Sequence, residues 1–323
     1  MSSSASESIS AMFPRFAFGQ TFELPQLTPA NVSLACRIAA AGCAAYGLYR
    51  VFFAPLGHDA GEPGSLFLAF GSRQVFDKVC DMQADPHYFD LSVEPWVGEI
   101  ESRWTVIRDE LQRYLEAQGG TLRPFGHTHR MSSAHCWRVL SLMLWRVRDP
   151  RAAEHFPKTL ALLQQAVPAD RLVGITFSQL EPESNIAPHV GDTNGNYRCH
   201  LGLIVPRGLP DAGLEVGGEQ RAWEEGRMFA FNDAHHHRAW NNAPKHRFIL
   251  ILDVMREEHK AHTNEVCCHV MASFLLQRLS NRMPMLKATK RVEANVHAVL
   301  KRLIALPVGL GLGQGLVHRV MQG

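Results

Sequence analysis

The stretch HHHRAWNNAPKHRFILILDV, residues 235–254, decides the fold. Asn241, Asn242 and Pro244 mark a turn, and beyond it Arg247 opens a continuous apolar run from Phe248 to Leu252. Such a run, rich in β-branched residues and bounded by turn residues, reads as a strand buried on both faces. A guanidinium at its start needs an anion, because an unpaired buried charge is costly. Upstream, LVGITFSQL (172–180), YRCHLGLIVP (197–206), LEVGGEQRAWEEG (214–226) and RMFAFND (227–233) are short apolar runs separated by Gly, Pro, Asn and Asp. They read as consecutive strands joined by hairpin turns, with Arg198 and His200 alternating against Cys199 and Leu201. Short strands at this spacing predict a sandwich or barrel.

Helical spacing flanks the strands on both sides. Ile100, Trp104, Ile107, Leu111 and Leu115 share one face of a helix expected over Glu99–Leu115, and residues 155–167 repeat the pattern with Pro157 near the start. Residues 257–323 return to helical spacing. The expected organisation is an N-terminal extension over 1–84, a catalytic domain over 85–256 and a C-terminal helical appendage over 257–323. The expected fold class is α+β, a sandwich or barrel with flanking N-terminal helices and a helical C-terminal tail.

Composition removes several function classes. With 46% hydrophobic and 20% charged residues among 323, the chain is neither disordered nor coiled-coil. A net charge of +2 leaves no basic field to drive nucleic-acid binding. Seven cysteines without a CxxC argue for reduced thiols and a cytoplasmic or otherwise reducing compartment. The apolar segment near 34–53 is interrupted by Arg37 and Arg50, short of the roughly 20 residues of a spanning helix. A buried or surface helix is the expectation there and membrane association the weaker alternative.

The 17 histidines are the compositional anomaly. His189 lies in a Pro-flanked turn, APHVGDTN, and His237 closes the triplet before the next strand. Two distant histidines meeting at the mouth of a barrel, with Arg247 one hairpin further on, would make a metal centre whose arginine clamps a dicarboxylate. That is the layout of an iron(II)/2-oxoglutarate oxygenase. The usual carboxylate two residues after the first histidine is replaced by Gly191. Strand alternation leaves His235 and His237 both possible ligands. Asp233 reads as a turn residue, Asp192 as a loop cap that alternation aims away from the ligand position, and Trp96, Trp104 and Trp223 as packing.

HVGDTN (189–194), RCHLGLIVP (198–206), GGEQRAWEEG (217–226), FNDAHHHRAW (231–240) and RFILILDV (247–254) together resemble the aspartyl/asparaginyl β-hydroxylase family, with YFD (88–90), PWV (95–97) and IESRWTVIRDEL (100–111) fitting its helical N-terminal part. The fold implied by the resemblance is a double-stranded β-helix, or jelly-roll barrel. In this family a glycine at the carboxylate position is an accepted pattern. The resemblance implies Fe(II) held by His189 and His237, and 2-oxoglutarate bound at its distal carboxylate by Arg247 with Ser178. It implies Arg198 and His200 at the other carboxylate, and O₂ as oxidant. The implied reaction hydroxylates an aliphatic C–H, with succinate and CO₂ as co-products. The implied substrate is the β-carbon of an aspartyl or asparaginyl residue, in a peptide or small acidic molecule. Asn196 stands where better-known members carry an arginine for the substrate's acidic group. A lipid acyl chain is the alternative substrate. A catalytically silent binding module and a metal-storage role are the alternatives without chemistry.

Overall fold

The computed structural model describes residues 85–122, 136–149, 151–282, 297–301 and 303–305. The N-terminal apolar segment and most of the tail beyond 282 lie outside the described residues. In chain order the elements are β1 (Tyr88–Phe89), α1 (Pro95–Ser102), α2 (Trp104–Ala117), β2 (Trp137–Leu144), β3 (Val147–Arg148), α3 (Ala152–His155), α4 (Pro157–Ala166), β4 (Leu172–Leu180), β5 (Ser184–His189), β6 (Asn196–Ile204), β7 (Ala212–Val216), β8 (Glu219–Arg221), β9 (Met228–Phe231), β10 (His237–Asn241), β11 (Arg247–Met255) and α5 (Thr263–Arg282).

From β4 onward the chain shuttles between two antiparallel sheets, a seven-stranded one in the order β1-β9-β6-β11-β4-β2-β3 and a four-stranded one in the order β5-β10-β7-β8. This is a double-stranded β-helix. β11 lies at its centre, paired with β4 and β6, and is buried along almost its whole length, as its apolar run requires. Period-2 alternation splits that strand: Phe248, Leu250, Leu252 and Val254 face a core shared with the N-terminal helices, while Ile249 turns into the barrel with Leu180, Leu214, Trp223 and Phe231. Arg247, Ile251 and Asp253 share the inward face by the same alternation.

The expected helix over Glu99–Leu115 is two helices, broken at Arg103. Ser102 Oγ donates back to the Glu99 carbonyl at 2.8 Å, a local bond that competes with helix continuation. Ile100, Ile107, Leu111 and Leu115 are buried on the predicted face, and Pro157 opens α4. The described part of the C-terminal segment docks on the seven-stranded sheet: Val266, Val270 and Met271 of α5 share one cluster with Trp145, Val147, Val173 and Met255. Among the described residues no helix is long and apolar enough to cross a membrane.

Candidate metal and co-substrate site

β5 ends at His189 and β10 begins at His237, and the two residues are paired directly across the antiparallel ladder. A register shift follows between His237 and Ala239. Bulges of this kind re-aim a side chain at a sheet edge. The ring centroids lie 4.1 Å apart. His189 Nδ1 lies 2.8 Å from the Ala187 carbonyl, and His237 Nδ1 lies 2.9 Å from the His235 carbonyl. A carbonyl only accepts, so each Nδ1 carries the hydrogen. Burial, reinforced for His237 by its neighbour His189, holds both imidazoles below their ordinary pKa and therefore neutral. Both Nε2 atoms are then bare lone pairs.

Asp233 supplies the third group. Its Oδ1 is buried without a hydrogen-bond donor and lies 3.4 Å from His237 Nε2. With His237 neutral, two acceptors face each other there, an arrangement that a proton or a cation would relieve. Imidazole with carboxylate is a donor set that suits a divalent first-row metal. Among the described residues no three His, Cys, Asp or Glu side chains form a closed ligand set. His189 and His237 face each other across the ladder, and His236 is exposed. His235 is half-buried, with Nε2 3.3 Å from the Asp85 carbonyl.

Gly191 has a tertiary explanation. A Cβ there would lie 1.5 Å from Asp233 Oδ2, and Gly191 N–H donates to the Asp233 carbonyl at 2.6 Å. Asp233 lies in a turn, as read from the sequence, and is in addition a buried carboxylate filling the space beside Gly191. The spacing of His237 and Asp233, four residues apart, was the available signal. Asp192 is also buried, and burial with Asp233 nearby pushes its carboxyl up to about 7.

Arg247 is 1% exposed, and its Nε and Nη1 have no hydrogen-bond partner among the described residues. Burial lowers its pKa to about 9, so it remains charged at neutral pH. A buried cation without a counter-charge is costly, so an anion there would be favoured. Ser178 lies on the adjacent β4 and is paired with Ile249, which puts it on the inward face with Arg247. Its Oγ already accepts from Trp137 Nε1 at 2.9 Å. His200 pairs with Ile251 and is buried on the same face. Its Nδ1 accepts from Trp223 Nε1 at 3.2 Å, and Arg247 stacks over the Trp223 ring at 4.5 Å. Trp223 is therefore more than packing.

Arg198 is engaged differently from Arg247. Its Nε and Nη2 donate to Asp253 at 2.9 and 3.3 Å, and its Nη1 lies 3.0 Å from Asp233 Oδ2. Burial works against its charge, yet the two carboxylates hold its pKa above the ordinary value. Asn196 Nδ2 donates to the same Asp253 at 3.0 Å. The residue expected at the second co-substrate carboxylate is thus already paired twice, and Asp253 was invisible to sequence reasoning because it sits inside an apolar strand.

The description "Aspartyl/Asparaginyl beta-hydroxylase" belongs to the family model that matches residues 101–257, the span containing His189, Arg198, His200, Asp233, His237 and Arg247. Residues 101–257 belong to the aspartyl/asparaginyl β-hydroxylase family. Among relatives of this hydroxylase-family domain, the ornithine lipid ester-linked acyl 2-hydroxylase of Rhizobium tropici is 31% identical over 175 residues, covering 53% of this chain and 61% of that protein. The aspartyl/asparaginyl beta-hydroxylase of Mus musculus is 29% identical over 207 residues, covering 63% of this chain and 27% of that protein. The chain therefore spans less than two thirds of the length of either. A solved Pseudomonas putida prolyl-4-hydroxylase aligns over 47% of this chain and 87% of its own at 16% identity, with a TM-score of 0.34, too distant to carry a functional argument.

Proposed function

We propose that the hydroxylase-family domain is an Fe(II)/2-oxoglutarate-dependent dioxygenase that hydroxylates an aliphatic C–H, with O₂ as oxidant and succinate and CO₂ as co-products. The observation that carries this reading is the pairing of two bare imidazole Nε2 atoms, on His189 and His237, with the unpartnered buried guanidinium of Arg247. When bound, the iron supplies the redox chemistry that couples decarboxylation of the keto acid to C–H oxidation. The chain's own residues do the rest. The backbone carbonyls of Ala187 and His235 fix both ligand tautomers, which is how an outer shell orients a metal ligand. Arg247 receives the distal carboxylate of 2-oxoglutarate, with the Ser178 hydroxyl beside it. His200 meets the other carboxylate. The apolar barrel lining of Leu180, Leu214, Phe231 and Ile249 keeps bulk water out and strengthens these charge pairs.

The experiment is anaerobic titration of the Fe(II)-loaded protein with 2-oxoglutarate. A weak visible charge-transfer band that disappears in Arg247→Ala supports the reading. Absence of the band with iron demonstrably bound sinks it in favour of a silent barrel.

The family's reading of the substrate is the β-carbon of an aspartyl or asparaginyl residue in a peptide or small acidic molecule. One observation favours the second reading, an acyl chain: Arg198 is held by Asp233 and Asp253, and Asn196 is tied to Asp253. No described cation other than Arg247 is left open on the inward face for a substrate carboxylate. The Rhizobium relative carries an acyl 2-hydroxylase name. Iron-dependent succinate release stimulated by an acylated amino lipid but not by an aspartyl peptide selects the acyl chain, and the reverse pattern selects the peptide.

A further inference from the structure

Trp223 lies in the connection between β8 and β9, 2% exposed inside the barrel. Its position follows from a glycine. The 224–226 segment runs against β6 at Gly202: Gly226 N–H donates to the Gly202 carbonyl at 2.9 Å, and Gly202 N–H donates to the Arg227 carbonyl at 3.2 Å. A Cβ at Gly202 would lie 2.2 Å from the Glu224 carbonyl oxygen, a backbone atom that cannot swing aside. Only a residue without a side chain lets the segment lie this close. The close approach brings the indole to His200, two residues before Gly202 on the same strand.

The indole then contacts two co-substrate residues at once. Its Nε1–H donates to His200 Nδ1 at 3.2 Å, with the two rings inclined by 27° and their centroids 6.2 Å apart. Its face carries the Arg247 guanidinium at 4.5 Å. An indole N–H can only donate, so His200 Nδ1 must be the acceptor. The neutral imidazole then has one place for its proton, Nε2. A bare Nε2 would offer a lone pair to a carboxylate and repel it, whereas Nε2–H is a donor the carboxylate can accept.

We infer that Trp223 is a positioning residue for the co-substrate: its N–H fixes His200 as the Nε2–H tautomer that a carboxylate ligand needs, while its ring seats Arg247, and Gly202 is the residue that admits it. This rests on the 2-oxoglutarate reading of the site, but the tautomer can be read without the ligand. Burial, together with Arg247, Arg198 and His237, also keeps His200 neutral.

The test uses the full chain with Zn(II) as a diamagnetic metal and 2-oxoglutarate as the probe. Long-range ¹H–¹⁵N spectra of ¹⁵N-histidine protein, assigned to His200 by its loss in His200→Ala, should show the Nε2–H form with an accepting Nδ1 before any ligand is added. Trp223→Phe retains an aromatic face for Arg247 and removes only the donor. It should mix the His200 tautomers and weaken 2-oxoglutarate binding about 3–10-fold, the range of one lost hydrogen bond. In a His200→Ala background the same substitution should cost less than about twofold. Gly202→Ala, which pushes the segment off β6, should reproduce both effects and serves if Trp223→Phe does not fold. An Nδ1–H form of His200 in the wild type overturns the proposal. So does unchanged 2-oxoglutarate binding in Trp223→Phe. A wild-type protein that shows the Nε2–H tautomer but binds no 2-oxoglutarate overturns the co-substrate reading instead.

Discussion

The Asp233 carboxylate occupies the volume that any side chain at Gly191 would need: Oδ2 lies 1.5 Å from where a Cβ would stand, while the same oxygen lies 3.0 Å from Arg198 Nη1. The Gly191–Asp233 pair is therefore one structural unit. Gly191→Ala must drive the carboxylate off Arg198 and away from His237, and overpacking of this kind costs about 1–3 kcal/mol. Asp233→Ala makes room for the new methyl group, so the double variant Gly191→Ala/Asp233→Ala should be clearly less destabilised than the sum of the single changes. Urea unfolding of the four proteins checks this, and strict additivity would break the relationship.

Metal affinity follows from the same group. His237→Ala and His189→Ala should each abolish stoichiometric Mn(II) binding in calorimetry. Asp233→Asn removes the negative charge beside His237 Nε2 and should lower affinity about 10–100-fold, the range seen for groups that support metal ligands. His235→Ala should leave affinity unchanged. Loss of binding on changing His235 rather than His237 would put the ligand two residues earlier.

Arg247 predicts opposite effects on stability and on binding. Its buried Nε and Nη1 have no hydrogen-bond partner among the described residues, so Arg247→Met should stabilise the protein measured without 2-oxoglutarate, by about 1–4 kcal/mol. The same change removes the anion site. 2-Oxoglutarate should raise the unfolding temperature of the wild-type protein and leave that of Arg247→Met unmoved. A destabilised variant would mean that the Arg247 charge is already compensated, and one still stabilised by the keto acid would mean that another cation holds it.

The pH dependence has a definite sign. His189, His200 and His237 titrate below the ordinary imidazole value of 6.5 because of burial, His200 and His237 well below it. Below 6.5 the unfolded chain binds protons that the folded chain does not, so the metal-free fold loses stability as pH falls through that range. Asp192 works the other way. With its pKa raised from 3.8 to about 7, the folded chain holds a proton between those values that the unfolded chain has released, which stabilises the fold on acidification. Urea midpoints from pH 8 to pH 5.5 should fall for the wild type and fall more steeply for Asp192→Asn. A flat profile for both would contradict the neutral burial of the three imidazoles.

The apolar runs of 172–180 and 247–255, bounded by turn residues, are a local property, and they specified these two strands without reference to the rest of the chain. An arginine opening an apolar run is also a local signal, so the burial of Arg247 was readable. What packs against a residue from a distant segment is not local. The lone helix predicted over Glu99–Leu115 splits at Arg103, with Ser102 bonding back to the Glu99 carbonyl. The role of Trp223 depends on the absence of a side chain at Gly202, and that of Asp233 on its absence at Gly191. Strand alternation left His235 and His237 equivalent, whereas the ladder with β5 places His237 opposite His189. Which residues of a strand share a face, as Arg198 and His200 do, was legible from the linear pattern, because side-chain alternation needs nothing beyond the strand. Only the tertiary structure decided which inward charges are already neutralised, as Arg198 is by Asp233 and Asp253, because pairing energy depends on distances between segments that the linear pattern does not contain.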